Sequence, residues 1–319
     1  MTAQTRIMEE IKGAGSVAIS GHVRPDGDCV GSCMGLYLYL RKEMPDAEIA
    51  VYLEKPADIF DCIDSVEDIQ SDFSTDKVYD VFVALDCNEE RLGGAAEIFR
   101  RAKKKINIDH HVSNAGDGDV NIVEAHRSST AELLYDLLDP EKIDEPVAKA
   151  LYIGIVHDTG VFRYSNTSPR TMQVAAELLK FGFDFSKIID ETFFQKTYNQ
   201  SQIMGRAVLE SVRFLDGKGI VSVVSRKMMD FYQVTAKDMD GIINQLIAVK
   251  DVECAIFMYE TGTLEYKVSM RSKGAVDVSA IAVKFGGGGH VRAAGCTMNG
   301  TCHDNINNLS IEIAAQLNM

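Results

Sequence analysis

SVAISGHVRPDGDCVGSCMGLYLYL, residues 16–40, decides how the first half of this 319-residue chain is built. Ser16, Val17, Ala18, Ile19 and Ser20 form an apolar run of strand length. The Gly- and Pro-bent segment from Gly21 to Asp28 breaks it. Met34, Leu36, Leu38 and Leu40 then lie in a helical stretch. The same alternation continues downstream, with apolar strands expected at 49–53, 78–85 and 106–108 and a helix near 95–101. Strands spaced by helices call for a mostly parallel sheet covered by helices on both faces. Ser129-x-x-Glu132 has the form of a capping box opening a helix over 131–138. Pro146 is placed to begin a helix running toward Ile155, and Ser168-Pro169 opens another that ends near Gly182.

Residues 186–215, with Phe193, Phe194 and Ile203, carry no strand signal and suggest a helical connector. Beyond them the texture changes: strands are expected at 220–225, 254–259 and 264–270, helices at 242–249 and 278–285. The expected fold class is therefore α/β with two domains. A larger one spans 1–185, and a smaller α/β domain spans 216–319. The length supports two cores before any motif is considered.

A hydrophobic fraction of 46% and a charged fraction of 25% are ordinary for a globular chain. The longest apolar runs, such as residues 81–85, suit buried strands rather than membrane spans. The opening MTAQTRIMEEIKGAGS has acidic residues where a secretory signal needs apolar ones, so a cytoplasmic location without membrane attachment is expected. Seven cysteines without a C-x-x-C pattern argue against a disulfide framework or structural zinc. Cys29 and Cys33 are read as buried thiols. A net charge of −14 repels polyanions, which disfavours tight binding of long nucleic acid. An anionic substrate would need local cations, and bound metal ions supply them.

In open α/β sheets, ligands bind beyond the carboxyl ends of the strands. Four polar clusters fall at such positions: His22, Asp26 and Asp28 after the first strand, Asp86 after the third, Asp109-His110-His111 after the fourth, and Asp158 after an apolar helix. A lone strand-end Asp is most often a cap or turn residue. Several converging carboxylates, however, would raise one another's pKa unless cations sat between them. Mixed His and Asp donors suit a borderline-hard ion such as Mn²⁺, and the cluster contains no thiolate for zinc.

GHVRPDGDCVGS at 21–32, the strand-end Asp86, the DHH triplet at 109–111, GIVHDTG at 154–160 and GGGGH at 286–290 occur in an order that resembles the DHH phosphoesterases. Within that family the chain is most similar to the nano-RNase and phosphoadenosine-phosphate (pAp) phosphatase group, whose second part is a DHH-associated substrate-binding domain. The resemblance implies one metal ion on His22, Asp26 and Asp86, and a second on Asp28, Asp86, His110 and Asp158. Asp86 would bridge them. It also implies that His111 touches the phosphoryl group or assists proton transfer, and that Asp109 orients its neighbours. Arg271, His290, Gly287, Gly288 and Gly289 take the family's substrate positions. Glycines admit phosphate close to backbone N–H groups, and a guanidinium grips it through paired hydrogen bonds.

The implied substrates are short oligoribonucleotides or linear dinucleotides such as pApA, cleaved to mononucleotides, and the 3′-phosphate of pAp. Cyclic-dinucleotide hydrolysis is the nearest competing activity. A non-catalytic nucleotide-binding module is disfavoured because every expected metal position is filled. A homodimer is left open. His157, His126 and His303 are read as outside the metal centre, Asn88 and Arg91 as bracing residues, and Arg292 as a weaker substrate candidate.

Overall fold

The computed structural model describes residues 8–11 and 13–319. The N-terminal stretch that informed the expected location lies partly outside the described residues. The chain divides into two compact units, Met1–Gln195 and Lys196–Met319.

The first unit is built on a five-stranded sheet. β1 (Ser16–Ser20) leads through the Gly- and Pro-bent loop into α1 (Gly27–Glu43), and β2 (Glu48–Tyr52), β3 (Val81–Leu85), α2 (Ala96–Arg101), β4 (Lys104–Asp109) and β5 (Val120–Val123) follow. The order is β2-β1-β3-β4-β5 and every pair is parallel, so the sheet is purely rather than mostly parallel. β3 begins at Val81; Val78, expected within it, is exposed outside the sheet. β5 was not anticipated, because four residues are too few for alternation to show.

Strand periodicity explains the two covered faces. Val17, Ile19, Val83 and Ile108 join the core beneath α1, while Ala18, Phe82 and Ala84 pack on the other side with Ile98 and Phe99 of α2. Three further helices complete the first core: α3 (Thr130–Leu137), α4 (Glu145–Asp158) and α5 (Pro169–Leu179). α6 (Phe185–Ile189) runs into a single π turn, Asp190–Phe194. The capping box at α3 is half formed. Ser129 accepts from the Glu132 N–H, but the Glu132 carboxylate turns to the Ser128 and Thr171 hydroxyls.

The second unit begins with α7 (Tyr198–Leu209), followed by β6 (Val212–Phe214), β7 (Gly219–Val224), α8 (Arg226–Tyr232) and α9 (Ile242–Ile247). β8 (Cys254–Gly262), β9 (Glu265–Ser272), α10 (Val278–Lys284), β10 (Gly288–His290), β11 (Ala293–Asn299) and α11 (Cys302–Leu317) complete it. The sheet order is β10-β11-β9-β8-β7-β6, with β7–β8 the one parallel pair. β6 falls inside the stretch expected to lack strands. Its three residues are a strand only through pairing with β7, Val212 opposite Val221. All seven cysteines are free thiols. No helix among the described residues is long and apolar enough to cross a membrane.

α1 and α4 meet glycine to glycine. A Cβ on Gly31 would stand 2.5 Å from the Ala150 carbonyl oxygen and 2.8 Å from the Gly154 nitrogen, and one on Gly154 would stand 2.9 Å from Oδ1 of Asp28. The close approach thus leaves the room that the Asp28 carboxylate fills. Gly31→Ala is expected to cost about 1–3 kcal/mol through overpacking against backbone that cannot yield. Thermal unfolding followed by circular dichroism checks this, and an unchanged Tm would show slack between the two helices.

Candidate metal centre and nucleotide-binding face

β1 is followed in sequence by β2 on one side of it and flanked by β3 on the other, so the chain reverses direction across the sheet between β1 and β3. A crevice opens at the carboxyl ends of strands at such a point. His22 lies just past β1 and Asp86 immediately past β3. Asp86 sits in the left-handed region at φ 62°, a conformation that aspartate tolerates better than most residues.

Two ligand sets converge here. In the first, His22 Nε2 lies 3.6 Å from Asp26 Oδ1 and 3.4 Å from Asp86 Oδ2. The His22 Nδ1 donates to the Val23 carbonyl at 2.9 Å, which leaves Nε2 to face the carboxylates. Asp26 is exposed and also caps α1, accepting from the Asp28 and Cys29 N–H groups. In the second set, His110 Nε2 lies 3.3 Å from Asp158 Oδ2, 3.8 Å from Asp28 Oδ2 and 3.6 Å from Asp86 Oδ1. Its Nδ1 donates to the Arg127 carbonyl at 3.3 Å, and its Nε2 is buried without a hydrogen-bond partner. Asp28 is held by two backbone donors at the start of α3, Thr130 N–H at 2.7 Å and Ala131 N–H at 2.9 Å. Asp158 is the last residue of α4.

Electrostatics shows what this arrangement lacks. Burial first, then the Asp28 charge, pushes the Asp86 carboxyl well above the usual carboxylate range. Burial also raises Asp28, and burial with the Asp28 and Asp26 charges pushes Asp158 up to about 8. Burial opposes the charge on His22, but hydrogen bonds to Asp26 and Asp86 overcome it and push the imidazole up to about 11. Cations placed among these carboxylates would stabilise their charged forms. The donors fit divalent ions: His22, Asp26 and Asp86 offer ligand atoms within 4.8 Å of one another, as do Asp28, His110 and Asp158.

Asp86, Asp109, His110 and His111 also offer ligand atoms within 4.8 Å of one another, but the Asp109 carboxylate is already taken up by hydrogen bonds. Asp109 Oδ1 accepts from the His110 N–H, the His111 N–H and His111 Nδ1, at 2.6, 3.0 and 2.8 Å. Its Oδ2 accepts from Asn114 Nδ2 at 2.5 Å. Burial opposes ionisation of Asp109, but the hydrogen bonds from His111 and Asn114 hold its pKa below the ordinary value. Asp109 is thus an occupied carboxylate that orients His111. Asn114, itself buried and bound to Asn107 Oδ1, has no separate sequence signal beyond standing three residues after the triplet.

The other histidines lie elsewhere. His157 packs between Phe60 and Phe193, with Nε2 3.0 Å from the Thr192 hydroxyl, and His126 and His303 are exposed. Arg91 braces through its backbone, its carbonyl accepting from the Val23 N–H at 2.9 Å, and Asn88 caps the turn before it without a side-chain bond.

In the second unit, Ala293 of β11 stands opposite Arg271 on one side and His290 on the other. Residues directly opposite across strands share a face, so the guanidinium and the imidazole flank one small residue. Gly287 and Gly289 have structural reasons of their own. A Cβ would come within 2.1 Å of the Gly295 carbonyl oxygen at Gly287, and within 2.5 Å of the Ala293 carbonyl oxygen at Gly289. Gly288 has nothing within 4 Å. Gly287→Ala should lower the thermal stability of the protein, whereas Gly288→Ala should melt like the parent. Equal losses would show that the loop tolerates or rejects a methyl group for other reasons.

Residues 16–155 match the model of the DHH family, N-terminal domain, and residues 216–318 match the DHHA1 domain. The bifunctional oligoribonuclease and PAP phosphatase NrnA of Thermus thermophilus is 32% identical over 303 residues, 92% of this chain and 88% of that protein. The protein of the same name from Bacillus subtilis is 27% identical over 301 residues, 92% of this chain and 93% of that one. The crystal structure of an exopolyphosphatase-related protein from Bacteroides fragilis superposes with a TM-score of 0.90 at 24% identity, covering 98% of this chain and 95% of that chain, which establishes the shared fold. With the triplet at 109–111, both domains in order and a relative matched over nearly its whole length, the chain belongs to the DHH family of phosphoesterases.

Proposed function

We propose that this protein hydrolyses short oligoribonucleotides and linear dinucleotides such as pApA to mononucleotides, and removes the 3′-phosphate of pAp, using two divalent cations, with Mn²⁺ as the favoured ion. The single observation that carries the metal-dependent reading is that two ligand sets meet at Asp86, with one carboxylate oxygen toward each. The substrate class rests on the relatives matched across most of the chain, named as bifunctional oligoribonucleases and PAP phosphatases.

His22, Asp26 and Asp86 would hold one ion, and Asp28, Asp86, His110 and Asp158 the other. Such ions neutralise charge on the phosphoryl oxygens and make water acidic enough to attack at neutral pH. The chain's own groups do the rest. His111 gives its Nδ1 hydrogen to Asp109, so its ring cannot rotate freely and Nε2 is the atom left to handle a proton. Breaking a phosphate ester leaves an oxygen that needs a proton, and His111 Nε2 would supply it. Arg271 and His290 would bind the anionic nucleotide, the guanidinium through paired hydrogen bonds. The charge of −14 favours short substrates, since it penalises each phosphate held outside the site.

Purified protein incubated with Mn²⁺ and, separately, pApA, a five-nucleotide RNA, pAp, cyclic di-AMP and pyrophosphate tests the substrate class. Turnover of the first three above the last two is expected, and turnover confined to cyclic di-AMP or pyrophosphate would overturn it. Asp86→Ala should abolish turnover with loss of bound metal; a folded variant that keeps near-parental kcat would remove Asp86 from the centre. Arg271→Ala should keep both ions yet raise KM, at a loss of about 1.5–3 kcal/mol in kcat/KM for a hydrogen bond to a charged group. A fall in metal content instead would place Arg271 in a structural role.

A further inference from the structure

Residues 127–131 bond directly to three of the six candidate ligands, Asp28, Asp86 and His110, without belonging to either set. The Arg127 carbonyl accepts from His110 Nδ1, and the Thr130 and Ala131 N–H groups bind the two oxygens of Asp28. The Ser128 carbonyl shares the Asn166 amide with the carbonyl of Asp158, at 2.9 and 3.1 Å. The segment is anchored from behind by Glu132, which is buried and accepts from the Ser128 hydroxyl at 2.6 Å, the Thr171 hydroxyl at 2.7 Å and Arg127 Nη1 at 3.3 Å. Arg127 is fixed in turn by Glu124 at 2.8 Å and Asp136 at 2.6 Å.

Thr130 differs from its neighbours in using a side chain. Fully buried, it donates its hydroxyl to Asp86 Oδ1 at 3.1 Å while its backbone N–H holds Asp28. Asp86 has to serve both sets: Oδ2 faces His22 Nε2 and Oδ1 faces His110 Nε2. A carboxylate free to rotate about its Cβ–Cγ bond would lose that division. A hydroxyl bonded to Oδ1 alone removes the freedom and leaves Oδ1 a second lone pair.

We propose that Thr130 is a positioning residue whose buried hydroxyl fixes the rotation of Asp86, so that one oxygen is presented to each ligand set. This rests on Asp86 being the shared ligand. Groups that orient metal ligands in this way change metal affinity when they are removed, even though they never touch the ion. The backbone contact to Asp28 survives any substitution at position 130 that keeps α3 intact, so the hydroxyl can be tested alone.

The test compares the parent protein with Thr130→Val, Thr130→Ala, Thr130→Ser and Asp86→Ala, each stripped with EDTA, dialysed and titrated with Mn²⁺ by isothermal calorimetry. Circular dichroism and thermal melting of the metal-free proteins report folding. Val and Ala should weaken Mn²⁺ binding by about tenfold or more while Ser stays within about threefold of the parent, the scale on which orienting residues act. Metal-free melting temperatures should not follow the same order. Parental affinity in the Val and Ala variants would overturn the proposal, as would a Ser variant as weak as Val, since shape rather than the hydroxyl would then matter. If the Val variant does not fold, the Ala and Ser pair decides alone. Asp86→Ala that still binds two Mn²⁺ ions would instead remove the shared ligand, and the proposal would fall with it.

Discussion

Mutual repulsion among buried carboxylates is the constraint on which the rest of the first unit depends. Asp28 and Asp86 are almost wholly removed from solvent, and Asp158 stands beside them. Ligand oxygens of Asp28 and Asp158 lie within 4.8 Å of each other, a separation at which like charges repel by about 3–4 kcal/mol at an effective dielectric near 20. A fold that brings them together must either protonate them or place cations between them. The arrangement suits the second: two imidazole Nε2 atoms face the carboxylates, one of them without a hydrogen-bond partner, and backbone N–H groups from α3 favour the charged form of the buried Asp28.

Each histidine is oriented by what its other nitrogen touches. A carbonyl can only accept, so Val23 and Arg127 fix the Nδ1 hydrogens of His22 and His110 and turn Nε2 toward the carboxylates. His111 meets a carboxylate instead, and Asp109 holds it with an oxygen that two backbone N–H groups already share. Three consecutive residues thus stand in three settings: Asp109 orients, His110 faces the ligand cluster, and His111, half-buried, is held through Nδ1 by Asp109.

In the second unit, small residues set how the last strands pair. β10 can lie against β11 because Gly287 and Gly289 bring no Cβ into the neighbouring backbone. That pairing sets His290 in line with Ala293 and Arg271. Gly288 is different, since the space beside it stays open. The run of glycines that looks uniform in sequence therefore divides into positions with separate physical demands.

The sequence by itself determined the parallel architecture, because residues 16–40 spell strand, bent loop and helix through local periodicity, and it placed His22, Asp26, Asp28, Asp86, Asp109, His110, His111 and Asp158 at strand and helix ends, six of which residues the family resemblance singled out as ligands. Those signals are local, a matter of spacing and turn chemistry. Short or pairing-dependent elements were not legible: Val212 to Phe214 is a strand only because β7 lies beside it, and residues 120–123 only because β4 does. The orienting contacts were hidden for the same reason. Thr130 lies 44 positions from Asp86 and 102 from Asp28, and Ser129-x-x-Glu132 drew attention to the cap while Glu132 turned to Thr171. Hydrogen bonds between residues so far apart leave no pattern along one chain. Only the tertiary structure, by closing α1 against α4 at Gly31 and Gly154 and setting the start of α3 over the strand ends, decided which carboxylate each donor would meet.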